Sequence, residues 1–203
     1  MTQATYGAQG DGLHSDTAAI QRAIDTCRDH SLPTTAHVEV VLPAGLTFLT
    51  GALNLTSFMT LRVEGTLLGS TDPADYPVVP ALPGYGVCRD SGYPAANAGA
   101  RHQALISGWH LRSVAVMGQG VVNGQGLLRD PGLNSSWESR QASNTLDYGR
   151  PRVYEPMFSS DMRLQNINIT NQAFWAVHPY AYVPPPTHPG VPPPFSPQYA
   201  SRE

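Results

Sequence analysis

The sequence predicts an all-β fold: a solenoid of short stacked coils, closed at its start by one α-helix. Three observations carry this. Apolar residues alternate in short runs separated by turn residues, and no hairpin dipeptide joins the runs directly. Three of the runs line up with one another: SFMTLRVEGTLLGS from Ser57, RSVAVMGQGVVNGQG from Arg112 and SDMRLQNINITNQAF from Ser160. Glycine and proline number 19 each while charged residues make up only 13%, a balance that favours turns over helices.

The helix comes first. In YGAQGDGLHSDTAAIQRAI, from Tyr6 to Ile24, a glycine-rich loop leads into a polar cap and then an apolar stripe, Ala19, Ile20, Ala23, Ile24 and Cys27. Ser15, Asp16 or Thr17 can accept from an unpaired N–H at the helix start. The loop is not a phosphate cradle, because the run after Gly12 is Leu13-His14 and the chain contains no lysine to reach an outer phosphate. Its glycines suit a turn needing positive φ.

The strands follow. Val38, Val40 and Leu42 alternate up to the turn Pro43-Ala44-Gly45, and Phe48, Leu53 and Leu55 continue in short pieces. Met59, Leu61 and Val63 repeat the habit, as do Leu105 and Ile106, Val114 and Val116, Val153, and Met162, Leu164, Ile167 and Ile169. Leu61, Val116 and Leu164 align at offsets of 55 and 48 residues, which fits two coils per offset or one coil plus an excursion. Tyr76–Tyr93 and Gln125–Asp147 are the expected excursions. A stack of coils buries a core that no single coil can bury, and its open ends need caps. The first helix is the natural lid.

Composition narrows the function classes. The net charge of −3 points to neither a nucleic-acid nor an anionic-membrane surface, and no apolar run reaches the ~20 residues of a membrane span. The start MTQATYGAQG shows no signal peptide. Cys27 and Cys88 are too few for a disulfide scaffold; buried thiols are expected, with a bridge between them left open. His102 and His110 are eight residues apart and His14 and His30 sixteen, spacings with no metal signature, so no metal and no cofactor are expected.

These residues resemble a known family. YGAQGDG…SDTAAIQRAIDTC, VVLPAGLTFLTGALNL, LRVEGTLLGSTDPADYP, ALISGWHLRSVAVMGQGVVNGQG, RPRVYEPMFSSDMRLQNINITN and AFWAVHPY are similar, in order and spacing across roughly residues 5 to 181, to the N-terminal part of glycoside hydrolase family 28, the polygalacturonases. The resemblance implies a pectin-lyase-like, right-handed parallel β-helix and inverting hydrolysis of α-1,4-galacturonan in pectin. It implies an acidic pectic polysaccharide as partner, and secretion or a cell-wall setting.

The chain departs from the family in its chemistry. Inversion needs an acid and a carboxylate about 6.5–9.5 Å apart. In the family these lie in Asn-Thr-Asp and Gly-Asp-Asp segments, followed by Gly-His-Gly and Arg-Ile-Lys; none occurs here, and no two acidic residues are adjacent. Asn144-Thr145-Leu146-Asp147 carries an inserted leucine and is read as loop with a solvated Asp147. From Val183 to Glu203, eight of 21 residues are proline, which cannot donate to a strand ladder, so residues 183–203 are expected to form a disordered tail behind a β-helix portion at 1–182. No catalytic residue is assigned, and these 203 residues alone are expected to be inactive. Alternatives are a non-catalytic carbohydrate-binding or protein-interaction module, whose PxxP-like tail would suit an SH3 or WW groove, and a pectate lyase-like enzyme, which would need clustered Asp ligands. The open end of the stack is expected to self-associate.

Candidate substrate-binding residues are Arg150, Trp175 and His178. Arg150, and Arg152 beside it, suit a galacturonate carboxylate through their bidentate fork, with a plain surface arginine as the preferred alternative. Trp175 is a candidate for stacking on a sugar ring, with core packing preferred, and Trp137 carries the same pair of readings. His178 could line a cleft floor or be a satisfied, partly buried histidine. Glu155 is a lone carboxylate in an apolar strand, expected to pair with arginine rather than to catalyse. Asn54, Asn134 and Asn168 head glycosylation sequons that matter if the chain is secreted.

Overall fold

The structure is a computed structural model, and it describes residues 6–34, 36–82, 97, 99–127 and 136–181. The proline-rich segment, Cys88 and Asn134 lie outside the described residues. The chain winds as a right-handed parallel β-helix of four coils with three sheets.

The element order is β1 (Asp11–Ser15), α1 (Thr17–Thr34), β2 (Val38–Leu42), β3 (Thr47–Thr50), β4 (Leu53–Asn54), β5 (Met59–Val63) and β6 (Thr66–Gly69). Then come β7 (Val78–Val79), β8 (Arg101–His102), β9 (Ile106–Trp109), β10 (Arg112–Met117), β11 (Val121–Asn123), α2 (Trp137–Ala142), β12 (Tyr154–Met157), β13 (Ser160–Gln165) and β14 (Asn168–Thr170). One sheet runs β1-β3-β6-β11-β14, a second β2-β5-β10-β13 and a third β4-β9-β12. All neighbours in these three sheets are parallel.

Register settles the repeat. Leu61 pairs with Val116, and Val116 pairs with Leu164, so each offset is one coil plus an excursion. Both excursions leave from one corner, between β6 and β9 and between β11 and β12. They bind each other through aromatic side chains. Trp137, wholly buried, meets Tyr76 edge-on at 5.4 Å and His102 at 5.4 Å, and its indole N–H donates to the Ser70 carbonyl at 3.2 Å. The sugar-stacking reading of Trp137 is therefore wrong and core packing describes it: a ring at 0% exposure cannot stack on a sugar.

Alternation places side chains in columns. Val40, Leu61 and Val116 form one interior column of the second sheet. Phe48, Leu67 and Val122 form another in the first sheet. The turns between these sheets stack so closely that a Cβ on Gly120 would lie 2.1 Å from the Gly65 carbonyl oxygen. The second Gly of GQGVVNGQG is there for this approach.

α1 lies on the first coil as expected, with Ile20, Ala23, Ile24 and Cys27 buried in the main core. Burial pushes the Cys27 thiol up. Gly7, Gly10 and Gly12 all take positive φ, as the loop requires. The cap reading of Asp16 is corrected. Its carboxylate turns back and accepts from the Gln9 and Gly10 N–H groups at 2.6 and 3.0 Å, while Thr17 Oγ1 accepts from the Gly51 N–H at 2.8 Å. β1 has no apolar alternation, and its register slips between Asp11 and Ser15.

Candidate functional site

The third sheet has a polar outer column. Leu53, Ile106 and Tyr154 face the core, so their successors Asn54, Ser107 and Glu155 face outward in register. The fourth coil continues the sheet through bridges from Tyr154 to Val177 and from Met157 to Tyr180, which sets His178 beside Glu155. The excursions cover this face, so Glu155 is buried although it points away from the core. Ser107 Oγ and Gln103 Nε2 both donate to Asn54 Oδ1, so this sequon's side chain is already engaged. Asn168 stands exposed on β14.

Glu155 gathers two guanidinium groups and an imidazole from three segments. Arg101 Nη2 donates to Glu155 Oε2 at 3.1 Å, Arg152 Nε lies 3.6 Å from Oε1, and His178 Nδ1 lies 3.1 Å from Oε1. The side chains of Arg101, Arg152 and Glu155 are at most 8% exposed, so the carboxylate's desolvation is offset by charge on several sides. The expected pairing of Glu155 with arginine is what the structure shows.

Around this centre the three candidate residues come together. Arg150 is 13% exposed and donates to Glu138 Oε1 of α2 at 2.6 Å, an ion pair at the edge of the cluster. Its guanidinium lies 5.1 Å from the Phe174 ring centroid, and that of Arg152 lies 4.9 Å from it. Phe174 stacks on Trp175 at 5.3 Å and 7°, and Trp175 meets the His178 ring at 4.5 Å. Trp175 is 50% exposed, so core packing does not describe it. His178 is 17% exposed and hydrogen-bonded, as the satisfied-histidine reading has it. The cluster holds three guanidinium groups against two carboxylates, with a half-exposed indole beside them. That is chemistry for an anionic, ring-shaped ligand.

Two further places lack this chemistry. A cavity of about 320 Å³ opens at the next corner, beside Pro156, Met162 and Tyr180; its charged residue is Asp161, which disfavours an acidic sugar there. Asn144 to Asp147 follow α2 as a loop, with Asp147 exposed. Among the described residues, no three His, Cys, Asp or Glu side chains gather as a metal site, and no helix is long and apolar enough to cross a membrane.

This architecture is that of the pectin-lyase-like β-helices, and comparison with known proteins agrees. The family described as rhamnogalacturonase A/epimerase, pectate lyase-like, matches residues 4–86. A probable polygalacturonase of Vitis vinifera is 34% identical over 177 residues, covering 86% of this chain and 33% of the relative. An exo-poly-alpha-D-galacturonosidase of Dickeya chrysanthemi is 38% identical over 126 residues, covering 61% of this chain and 19% of the relative. The structure of a family 28 exopolygalacturonase from Yersinia enterocolitica superposes with a TM-score of 0.63 at 25% identity, covering 84% of this chain and 34% of that one. These likenesses support assignment to glycoside hydrolase family 28, for the N-terminal part of its fold. The chain spans a third or less of the length of these two curated relatives, at 33% and 19%.

Proposed function

We propose that this chain forms the N-terminal coils of a polygalacturonase-like hydrolase and binds pectic galacturonan on the outer face of its third sheet. The observation that carries this reading is the convergence of Arg150, Trp175 and His178 around Phe174 and the buried Glu155. An exposed indole offers a face to a sugar ring, and guanidinium groups in excess over carboxylates attract galacturonate. The names of the curated relatives support the substrate class. A cell-wall or secreted setting belongs to the same proposal, and with it glycosylation at Asn168.

Among the described residues, the buried carboxylate of the cluster, Glu155, is held by two guanidinium groups and a histidine rather than free to act as acid or base in inverting hydrolysis. Binding without cleavage is therefore expected of the isolated polypeptide. Electrophoresis through a gel containing polygalacturonic acid should retard it, and a neutral galactan gel should not. Reducing ends should stay at background on incubation with polygalacturonic acid. Equal mobility in the two gels would end the binding proposal, and clear turnover would end the claim of inactivity. Self-association through the fourth coil is part of the same proposal, and sedimentation velocity measures it.

A further inference from the structure

We infer that Glu155 is a positioning residue, whose carboxylate fixes the His178 ring and the Arg152 guanidinium in the geometry that meets an acidic sugar. The inference rests on the binding reading above and adds a residue that touches no ligand. Glu155 lies on β12 beneath the cluster, 2% exposed, and its two oxygens divide the neighbours between them. Oε2 takes Arg101 at 3.1 Å; Oε1 faces both Arg152 at 3.6 Å and His178 at 3.1 Å.

A carboxylate only accepts, so His178 Nδ1 must carry the proton in this contact. The tautomer of the imidazole is thus set from below, and Nε2 becomes the acceptor on the other side of the ring. The same ring packs against Trp175 at 4.5 Å, so fixing it also fixes the edge of the exposed indole. On the other flank, Arg152 is held by Glu155 at one end while its guanidinium covers Phe174, the ring on which Trp175 stacks. One buried carboxylate therefore reaches both sides of the Phe174–Trp175 pair. Arg101 ties the carboxylate to the first excursion.

The sign of the effect separates positioning from simple charge. Replacing Glu155 by Gln removes a negative charge next to a site for anions, and Coulomb attraction alone then predicts tighter binding. Positioning predicts weaker binding. A merely structural role predicts a lower Tm with unchanged binding by the folded fraction.

The test uses the full chain with trigalacturonate as probe, together with long-range ¹H–¹⁵N imidazole spectra taken about two pH units above the ordinary histidine value. The wild-type His178 ring should be protonated at Nδ1, and Glu155→Gln should give a mixture of tautomers. Trigalacturonate should bind Glu155→Gln roughly tenfold more weakly, the loss expected of one charge-assisted hydrogen bond. Should Glu155→Gln fail to fold, His178→Phe keeps the ring's shape without the Nδ1 partner; it should fold and lose binding by a similar factor. A wild-type ring protonated at Nε2, a tautomer unmoved in Glu155→Gln, or equal or tighter binding by that variant overturns the inference. Absence of wild-type binding alongside the expected tautomer result overturns the binding reading alone.

Discussion

The first and fourth coils follow one pattern and end with different burial. At the first coil, α1 lies across the interior, and Val40, Leu42 and Phe48 are all at most 3% exposed. At the fourth, Leu164 stands in register with Val40 through Leu61 and Val116, yet it is 39% exposed, and Val177 is 42% exposed. The difference teaches that alternation fixes only which way a side chain points. Burial is supplied by whatever lies against the coil, here a helix on one side and, among the described residues, no further coil on the other.

The largest effect expected from this comparison is a pair of identical substitutions. Leu61→Ala, at a position with no exposure, should cost about 3 kcal/mol, from lost transfer energy and an unfilled cavity. Leu164→Ala, in the same column, should cost less than about 1 kcal/mol because its side chain is already partly in water. Urea unfolding at constant m-value measures both, and equal costs would break the comparison. Next in size is the turn stack. Gly120→Ala places a methyl group 2.1 Å from the Gly65 carbonyl oxygen and should cost about 2 kcal/mol. Gly45→Ala has nothing within 4 Å of its Cβ and is strained only by its φ of +79°, which should cost about 1 kcal/mol.

At the capped end, Asp16 offers a smaller test. Asp16 is 1% exposed and its carboxylate accepts from two loop N–H groups, so Asp16→Ala removes the acceptor from both, of which Gly10 is buried. A cost of about 1–2 kcal/mol is expected, with faster amide exchange at Gln9 and Gly10. Exchange rates unchanged at those two amides would show that the loop does not depend on Asp16.

Much of the solenoid is legible because periodicity reports direction. The alignment of Leu61, Val116 and Leu164 is the actual register, and the two excursions leave the coil where the sequence loses its alternation. The site is less legible, because its parts meet through coil stacking. Arg101 reaches Glu155 across 54 residues, and no local pattern marks that pairing. The tryptophans show the same limit. Trp137 and Trp175 look alike in sequence, but the first is clamped between two excursions and the second projects from the fourth coil. β1 escapes notice altogether, since DGLHS is a mostly exposed edge strand held by backbone pairing to β3 rather than by apolar alternation. Asp16 precedes its helix in the position of a cap, yet the loop amides behind it compete for the same oxygens and win.

The smallest effect concerns the clamp between the excursions, which distinguishes the middle of the stack from both ends. His102 is 5% exposed beside Trp137 and Tyr148, with Nδ1 3.2 Å from the Tyr76 carbonyl oxygen. Burial holds its pKa below the ordinary value of 6.5. The folded state therefore keeps the ring neutral where the unfolded chain has already bound a proton. Between the two pKa values the unfolded state binds more protons, so stability falls as pH drops below about 6.5, and levels off only below the folded-state value. One group contributes a slope of at most about 1.4 kcal/mol per pH unit. His102→Phe keeps an aromatic ring in the clamp and removes the titration, so its urea midpoint should decline less steeply from neutral pH towards mild acid than that of the parent chain. Parallel declines would mean that the pH dependence arises at groups outside the clamp, and that the middle coils are no more sensitive to acid than the ends.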